Sequence, residues 1–154
     1  MNNESERLAD QLKRAFEGDA WHGPSLDEAL AGVTAAQAIA HPIADAHSIW
    51  EIVAHISGWE DVIARRLTGE AIAEPIEGDF PSPPPNASDA DWAVLRTRAH
   101  ERHNGLVAQM AALSEADLLK IVAGKPYPIW MMAHGAVSHA LYHTGQIVLL
   151  KKLL

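Results

Sequence analysis

Residues 129–154 read IWMMAHGAVSHALYHTGQIVLLKKLL, a pattern typical of one long amphipathic helix. Apolar side chains and histidines recur in steps of three and four, which keeps them on a single face of the helix. We expect that face to point into the protein, with His139 and His143 on it, one helical turn apart. The face comprises Ile129, Met132, Ala136, His139, His143, Ile147, Leu150 and Leu154.

Three further segments have the same periodicity, and none shows the alternation of period two that predicts a strand. The first covers residues 4–18. The second is opened by a capping box of Ser48 and Glu51 and runs to residues 66–67. The third is capped by Ser88. Together with the segment from residue 129, they predict four long helices.

The connections between these helices are long. Residues 74–86 contain five prolines, so they cannot be helical and are expected to lie extended on the surface. Short helical turns are expected after Ser25 and Ser114. Two connections run to roughly 20 residues or more, whereas antiparallel helix pairs usually need about 2–8. The sequence therefore predicts an all-α, single-domain protein over residues 1–154, a four-helix bundle with long crossover connections.

The composition argues against several classes of function. The 154 residues include 20 acidic and 12 basic side chains, a net charge of -8, whereas a nucleic-acid-binding surface is normally basic. The chain has no cysteine, which rules out disulfides, thiolate metal sites and a cysteine nucleophile. No apolar run approaches the about 20 residues that span a bilayer. Residues 1–14 lack the features of a signal peptide, so we expect a cytoplasmic protein with no membrane partner.

Nine histidines are many for a chain of this length, and three of them fall on inward faces. His55 lies within or at the edge of the apolar face of the second long helix, while His139 and His143 lie on that of the fourth. An unpaired polar group in a core costs about 1–3 kcal/mol, so three imidazoles are hard to bury among apolar neighbours. A divalent metal would satisfy one nitrogen of each. Three protein ligands would also leave positions open for water or substrate.

The spacing alone does not decide between a metal site and ordinary histidines. Pairs of the form HxxxH also occur facing solvent or hydrogen-bonded to the backbone. The HExxH pattern of zinc proteases is absent, because Ala140, Leu141 and Tyr142 separate the two histidines. We take Trp59, Tyr142 and Gln146 as candidates for the wall of a pocket near the three histidines. No residue is assigned a catalytic role.

Three other histidines are not expected to bind the metal. His47 precedes the second long helix and is expected to close that turn. His134 is expected on the surface or at a dimer contact, about 140° around the helix from His139. His103 lies near the apolar face of the third helix, and we favour a structural role for it too.

Two segments resemble the signature sequences of the DinB/YfiT-like superfamily. They are HSIWEIVAHI at residues 47–56 and SHALYHTGQI at residues 138–147. The segment WHGPSL at residues 21–26 also resembles the family. The resemblance implies a four-helix bundle, often dimeric, with a divalent metal held by three histidines, which here would be His55, His139 and His143. Some relatives carry an aspartate at the position of Ala140.

The resemblance also implies a range of activities. Family members include transferases and isomerases that use low-molecular-weight thiols such as bacillithiol or mycothiol, and others are described as metal-dependent hydrolases. We therefore expect a metal-dependent enzyme that activates water or a thiol for hydrolysis or for thiol transfer to a small-molecule substrate. Zinc or nickel is the expected ion, with iron or manganese as alternatives. The alternative function is a non-catalytic bundle that binds a metal or small molecule for sensing or storage.

The resemblance and the end of the last helix together predict a homodimer. Four leucines lie close together there and would otherwise be left on the surface. They are Leu149, Leu150, Leu153 and Leu154.

Overall fold

The computed structural model describes residues 3–154 and confirms the all-α fold. Extended pairing within that range is confined to one bridge between Ile121 and Pro128. The described residues form four long helices and three short ones. They are α1 (Glu4–Glu17), α2 (Leu26–Leu30), α3 (Ala35–Ile39), α4 (Ile49–Leu67), α5 (Asp89–Ala111), α6 (Glu115–Leu118) and α7 (Ile129–Lys151).

Capping side chains set the start of nearly every helix. Helices α1 to α6 each begin after an Asn, Ser or Thr whose side chain accepts a hydrogen bond from a backbone N–H in the first turn. In each case a side chain three residues later bonds back to the backbone of the cap. Helix α7 follows Pro128 and has no side-chain cap. The helices predicted from the sequence are therefore present, and they begin at or next to the predicted residues.

Helix α3 is not among the predicted elements. It begins after Thr34, whose hydroxyl accepts from the backbone N–H of Gln37 at 3.3 Å. The side-chain oxygen of Gln37 accepts from the backbone N–H of Thr34 in return. The capping signal was therefore present in the sequence, but the five residues that follow are too few for a helical periodicity to stand out.

The end of α7 corrects two expectations. Leu154 was expected on the inward face, but α7 ends at Lys151, so the helical periodicity stops before residue 154, and that side chain is exposed. Leu150 was expected in the exposed cluster, but it is buried in the core. The exposed leucines of this end are Leu149, Leu153 and Leu154.

The four long helices pack in a closed ring. Helix α1 packs against α5 and α7, and α4 packs against the same two helices. This arrangement places α4 directly beside α7. Residue 55 of one helix can therefore meet residues 139 and 143 of the other.

Residues 68–88 contain no helix, in agreement with the prediction for the proline-rich residues 74–86, and they are fastened to the neighbouring helices. The guanidinium of Arg66 donates to the carbonyls of Ile72 and Ala73, and Arg102 bonds the carboxylate of Glu77 at 2.7 Å. At Gly58 the chain passes so close that a Cβ would lie 3.0 Å from the Cβ of Pro75. These contacts hold the next residues of the connection, 79 and 80, over the interface of α4 and α7.

Candidate metal centre

Three imidazoles meet between α4 and α7. His55 comes from the middle of α4, and His139 and His143 come from adjacent turns of α7. The Nε2 atoms of His55 and His139 are 2.8 Å apart, and the ring of His143 lies 4.6 Å from each of the other two rings. One nitrogen from each ring can be chosen so that all three lie within 4.8 Å of one another. The structure thus brings together the three histidines that the sequence singled out.

Burial keeps the three rings neutral. His55 and His143 are buried and His139 is half-buried. This loss of solvent lowers the pKa of all three side chains. For His139, the nearby His143 and His55 lower it further, and its pKa falls to about 4. All three imidazoles are therefore uncharged at neutral pH, which is the form that binds metal ions.

Two of the rings are oriented through Nδ1. The Nδ1–H of His55 donates to the backbone carbonyl of Asp79 at 2.8 Å, and that of His143 donates to the side-chain oxygen of Gln146 at 2.6 Å. Carbonyl and amide oxygens only accept hydrogen bonds, so each partner places the ring proton on Nδ1. The Nε2 atom of each ring keeps its lone pair. This is the arrangement in which histidines usually bind metals.

One face of His55 is covered by an aromatic stack. The rings of Phe80 and His55 are 3.9 Å apart and 4° from parallel, and the rings of Phe80 and His47 are 3.6 Å apart and 3° from parallel. His47, which was expected to close a turn, holds Phe80 in place. The stack fixes the plane of the His55 ring and shields it from water.

Asp79 and Phe80 are site residues that the sequence analysis missed. A carboxylate oxygen of Asp79 lies 3.0 Å from Nδ1 of His55 and accepts from the indole N–H of Trp59 at 2.7 Å. Both residues belong to the proline-rich connection, which has no periodicity from which a facing direction could be derived. The one available signal was the presence of a carboxylate and an aromatic ring in an otherwise proline-rich segment.

The three pocket candidates have different positions. Trp59 lines a cavity next to His139 and also binds Asp79. Gln146 supports His143 from behind. Tyr142 is 66% exposed and does not line that cavity, although its ring contacts the ring of His143 edge-on at 4.9 Å. Residue 142 points outward because it lies about 100° around the helix from residue 143.

Other histidines are engaged elsewhere. His103 bonds the buried carboxylate of Glu60 at 3.1 Å, and His100 bonds Asp27 at 3.0 Å. His134 is exposed and lies 3.5 Å from a carboxylate oxygen of Glu4. None of these three residues belongs to the cluster of His55, His139 and His143.

The donor set of this cluster is compatible with a divalent metal ion. Neutral imidazole nitrogens are good ligands for divalent transition-metal ions, and three of them leave further positions for other ligands. The Nδ1–H groups of His55 and His143 already donate to acceptors, so the Nε2 lone pair of each ring is available without a change of tautomer.

Comparison with known proteins gives the family. The sequence profile of the DinB superfamily matches residues 20–147, a range that contains all three histidines and the connection above them. Neither the comparison with curated proteins nor that with solved structures gave a match. The profile match covers most of the sequence, and the all-α fold agrees with it. The chain belongs to the DinB superfamily.

Proposed function

We propose that the protein is a metal-dependent enzyme whose ligands are His55, His139 and His143. The observation that carries the proposal is the convergence of three neutral imidazoles, two of them with Nδ1 fixed by an acceptor. The reaction would be hydrolysis, or transfer of a low-molecular-weight thiol to a small molecule. Zinc or nickel is the preferred ion, with iron or manganese as alternatives.

A bound divalent ion would act as a Lewis acid that lowers the pKa of a coordinated water or thiol. The chain itself contributes orientation and shielding. Asp79 and Gln146 hold the protons of two ligand rings on Nδ1, away from the position of the ion. Phe80 covers one face of His55 and keeps water from it.

The alternative is a non-catalytic site for sensing or storage, and one observation favours it. The carboxylate nearest to the histidines belongs to Asp79, and one of its oxygens already accepts from Trp59 and lies against Nδ1 of His55. Residue 140, where some relatives have an aspartate, is a buried alanine. A free general base beside the three histidines is therefore not evident among residues 3–154.

Elemental analysis tests the site, and a turnover screen separates the two functions. Protein purified without a histidine tag is expected to contain one transition-metal ion per chain, and sub-stoichiometric content of every such metal would disprove the site. The metal-loaded protein is then tested against ester and electrophile substrates, with and without a thiol. Turnover that is lost in His143→Ala supports the enzyme, while metal binding without any turnover supports the alternative.

We also propose that the protein is a homodimer and that residues 1–154 form one domain. The dimer proposal is supported by the family resemblance and by the exposed side chains of Leu149, Leu153 and Leu154 at the end of α7. Within residues 3–154, no helix has the length and apolar character needed to cross a membrane. Sedimentation at micromolar concentration is expected to give twice the chain mass, and a monomer would disprove the dimer.

A further inference from the structure

An apolar cavity of about 250 Å³ lies beside His139, between α4 and the first half of α7. Its walls are mainly hydrophobic and aromatic, as in most sites for small molecules, and its volume is slightly below the about 300–1,000 Å³ of such sites. His139 is the one candidate metal ligand in its lining. Its main wall residues are Trp59, Ile63, Arg66, Tyr127, Met131 and Met132.

Arg66 is the charged residue of this lining, and it is 5% exposed. Its Nε and Nη2 groups donate to the carbonyls of Ile72 and Ala73 at 2.8 to 3.0 Å. Its guanidinium carbon lies 5.6 Å from the centre of the Trp59 ring. The side chain is therefore held firmly in place against the wall of the cavity.

The charge of Arg66 has no counter-ion in the described structure. Among residues 3–154 no carboxylate lies within 4.0 Å of the guanidinium, and Nη1 makes no hydrogen bond. The backbone carbonyls that accept from Nε and Nη2 carry no formal charge. Nη1 is not one of the buried atoms that lack a partner, so it reaches solvent and is available to donate to a ligand. An anionic ligand in the cavity would supply the missing charge and accept from Nη1.

We propose that the cavity binds a small organic anion, with an apolar body against Trp59 and the methionines and one carboxylate paired with Arg66. The proposal rests on the proposed function in that this anion would be the substrate, placed beside the metal through His139. A single guanidinium with one free nitrogen favours a monocarboxylate, since phosphate groups usually engage several donors. The flexible side chains of Met131 and Met132 fit an alkyl or aromatic body.

Calorimetric titration with phenylacetate and hexanoate tests the proposal, with phenylacetamide as the neutral analogue of the first. The wild-type chain is expected to bind both carboxylates saturably and phenylacetate at least tenfold more tightly than the amide. In Arg66→Met the affinity for phenylacetate should fall at least tenfold, while that for phenylacetamide should change little. Equal affinity for acid and amide, or no saturable binding of either acid, would overturn the proposal.

Arg66 also bonds the connection of residues 68–88, so its substitution removes those contacts as well as the charge. A second pair of variants therefore leaves Arg66 unchanged. Gly135 lines the cavity, and a Cβ there would meet nothing within 4 Å, so a longer side chain has space to extend into the cavity. Gly135→Leu is therefore expected to abolish phenylacetate binding. Gly145 lies in the same helix away from the cavity, and nothing lies within 4 Å of a Cβ there either. Gly145→Leu should therefore bind phenylacetate like the wild type. Loss of binding in both variants, or in neither, would overturn the proposal.

Titration of His55→Ala separates this inference from the proposed function. His55 does not line the cavity, and its loss should remove metal binding. If phenylacetate still binds to His55→Ala, it is bound by the cavity and not by the ion. The cavity is then an anion site even if elemental analysis finds no metal in the protein. Phenylacetate that binds only to the metal-loaded wild type is coordinated by the ion, and the role of Arg66 is then wrong.

Discussion

The Nε2 atoms of His55 and His139 lie 2.8 Å apart, although the residues are 84 positions apart in the chain and belong to different helices. At this distance the two nitrogens cannot both carry a proton. Since Nδ1 of His55 already donates to the carbonyl of Asp79, its Nε2 has a free lone pair. In the absence of a cation, His139 can donate its Nε2–H to it. A bound cation would instead take the lone pairs of both rings.

Replacing one histidine of the cluster by alanine should abolish tight metal binding, because two imidazoles and water make a much poorer site than three. We expect His143→Ala to lose the rise in melting temperature that zinc or nickel gives the wild type. Metal binding raises the free energy of unfolding by about 2.7 kcal/mol when the free metal is at 100 times its dissociation constant. Thermal unfolding with and without added metal measures it.

His134→Ala is the matched control, because His134 lies in the same helix but is exposed and faces Glu4. Its metal-induced shift should equal that of the wild type. If His134→Ala loses the shift while His143→Ala keeps it, the assigned face of α7 is wrong.

Gln146→Ala should weaken metal binding without removing a ligand. Its side-chain oxygen accepts from Nδ1 of His143 and fixes the ring proton there. Loss of such a partner typically costs about 10–100-fold in metal affinity. Competition with a chelator of known affinity measures this loss. Gln109→Ala, at an exposed position on α5, should leave the affinity unchanged, and equal effects of the two substitutions would argue against an orienting role for Gln146.

Gly58→Ala should destabilise the protein by about 1–2 kcal/mol, because the new methyl would be forced against the ring of Pro75. Gly105→Ala is the control, since its methyl on α5 would meet open space. That change should stabilise the helix by about 0.5–1 kcal/mol. Urea unfolding of both variants measures the effects. A stabilising Gly58→Ala would show that the connection moves away from α4 at little cost.

The buried pair of Glu60 and His103 should make stability depend on pH. Burial raises the pKa of Glu60, and one oxygen of its carboxylate has no hydrogen-bond partner. A raised pKa in the folded state means that the folded chain holds this proton more tightly than the unfolded chain does. The contribution of Glu60 to stability is therefore fully present below the pKa that Glu60 has in the unfolded chain. It is lost as the pH rises through the higher pKa that Glu60 has in the folded chain.

Glu60→Gln should remove this dependence, because the amide resembles the protonated carboxyl. Both proteins are measured with a metal chelator present. The free energy of unfolding of the variant, relative to that of the wild type, is expected to increase from acidic to neutral pH by about 1 kcal/mol or more. Glu101→Gln, at an exposed position on α5, should show no such increase. A constant difference between Glu60→Gln and the wild type across pH would contradict the assigned direction of the pKa shift.

Much of this fold could be predicted from local sequence. The geometry of an α-helix fixes that residues three and four apart share a face, so His139 and His143 were placed together without a structure. Capping boxes act within four residues, and the starts of the second and third long helices were therefore visible at Ser48 and Ser88. The same local rules placed Trp59 one turn beyond His55. They could not show that Tyr142 is exposed, with its ring roughly perpendicular to that of His143.

Tertiary structure alone decided which groups surround the three histidines. Periodicity gives an inward face but not the rotation of α4 against α7, and that rotation sets the 2.8 Å approach of His55 and His139. The residues 68–88 have no repeat, so nothing local indicates that Asp79 and Phe80 fold back onto α4. Their position follows from contacts such as Arg66 with Ile72, made between a helix and a connection whose own sequence does not fix its path. The inward face of a helix follows from the local sequence, whereas the surroundings of a site depend on how separate segments pack together.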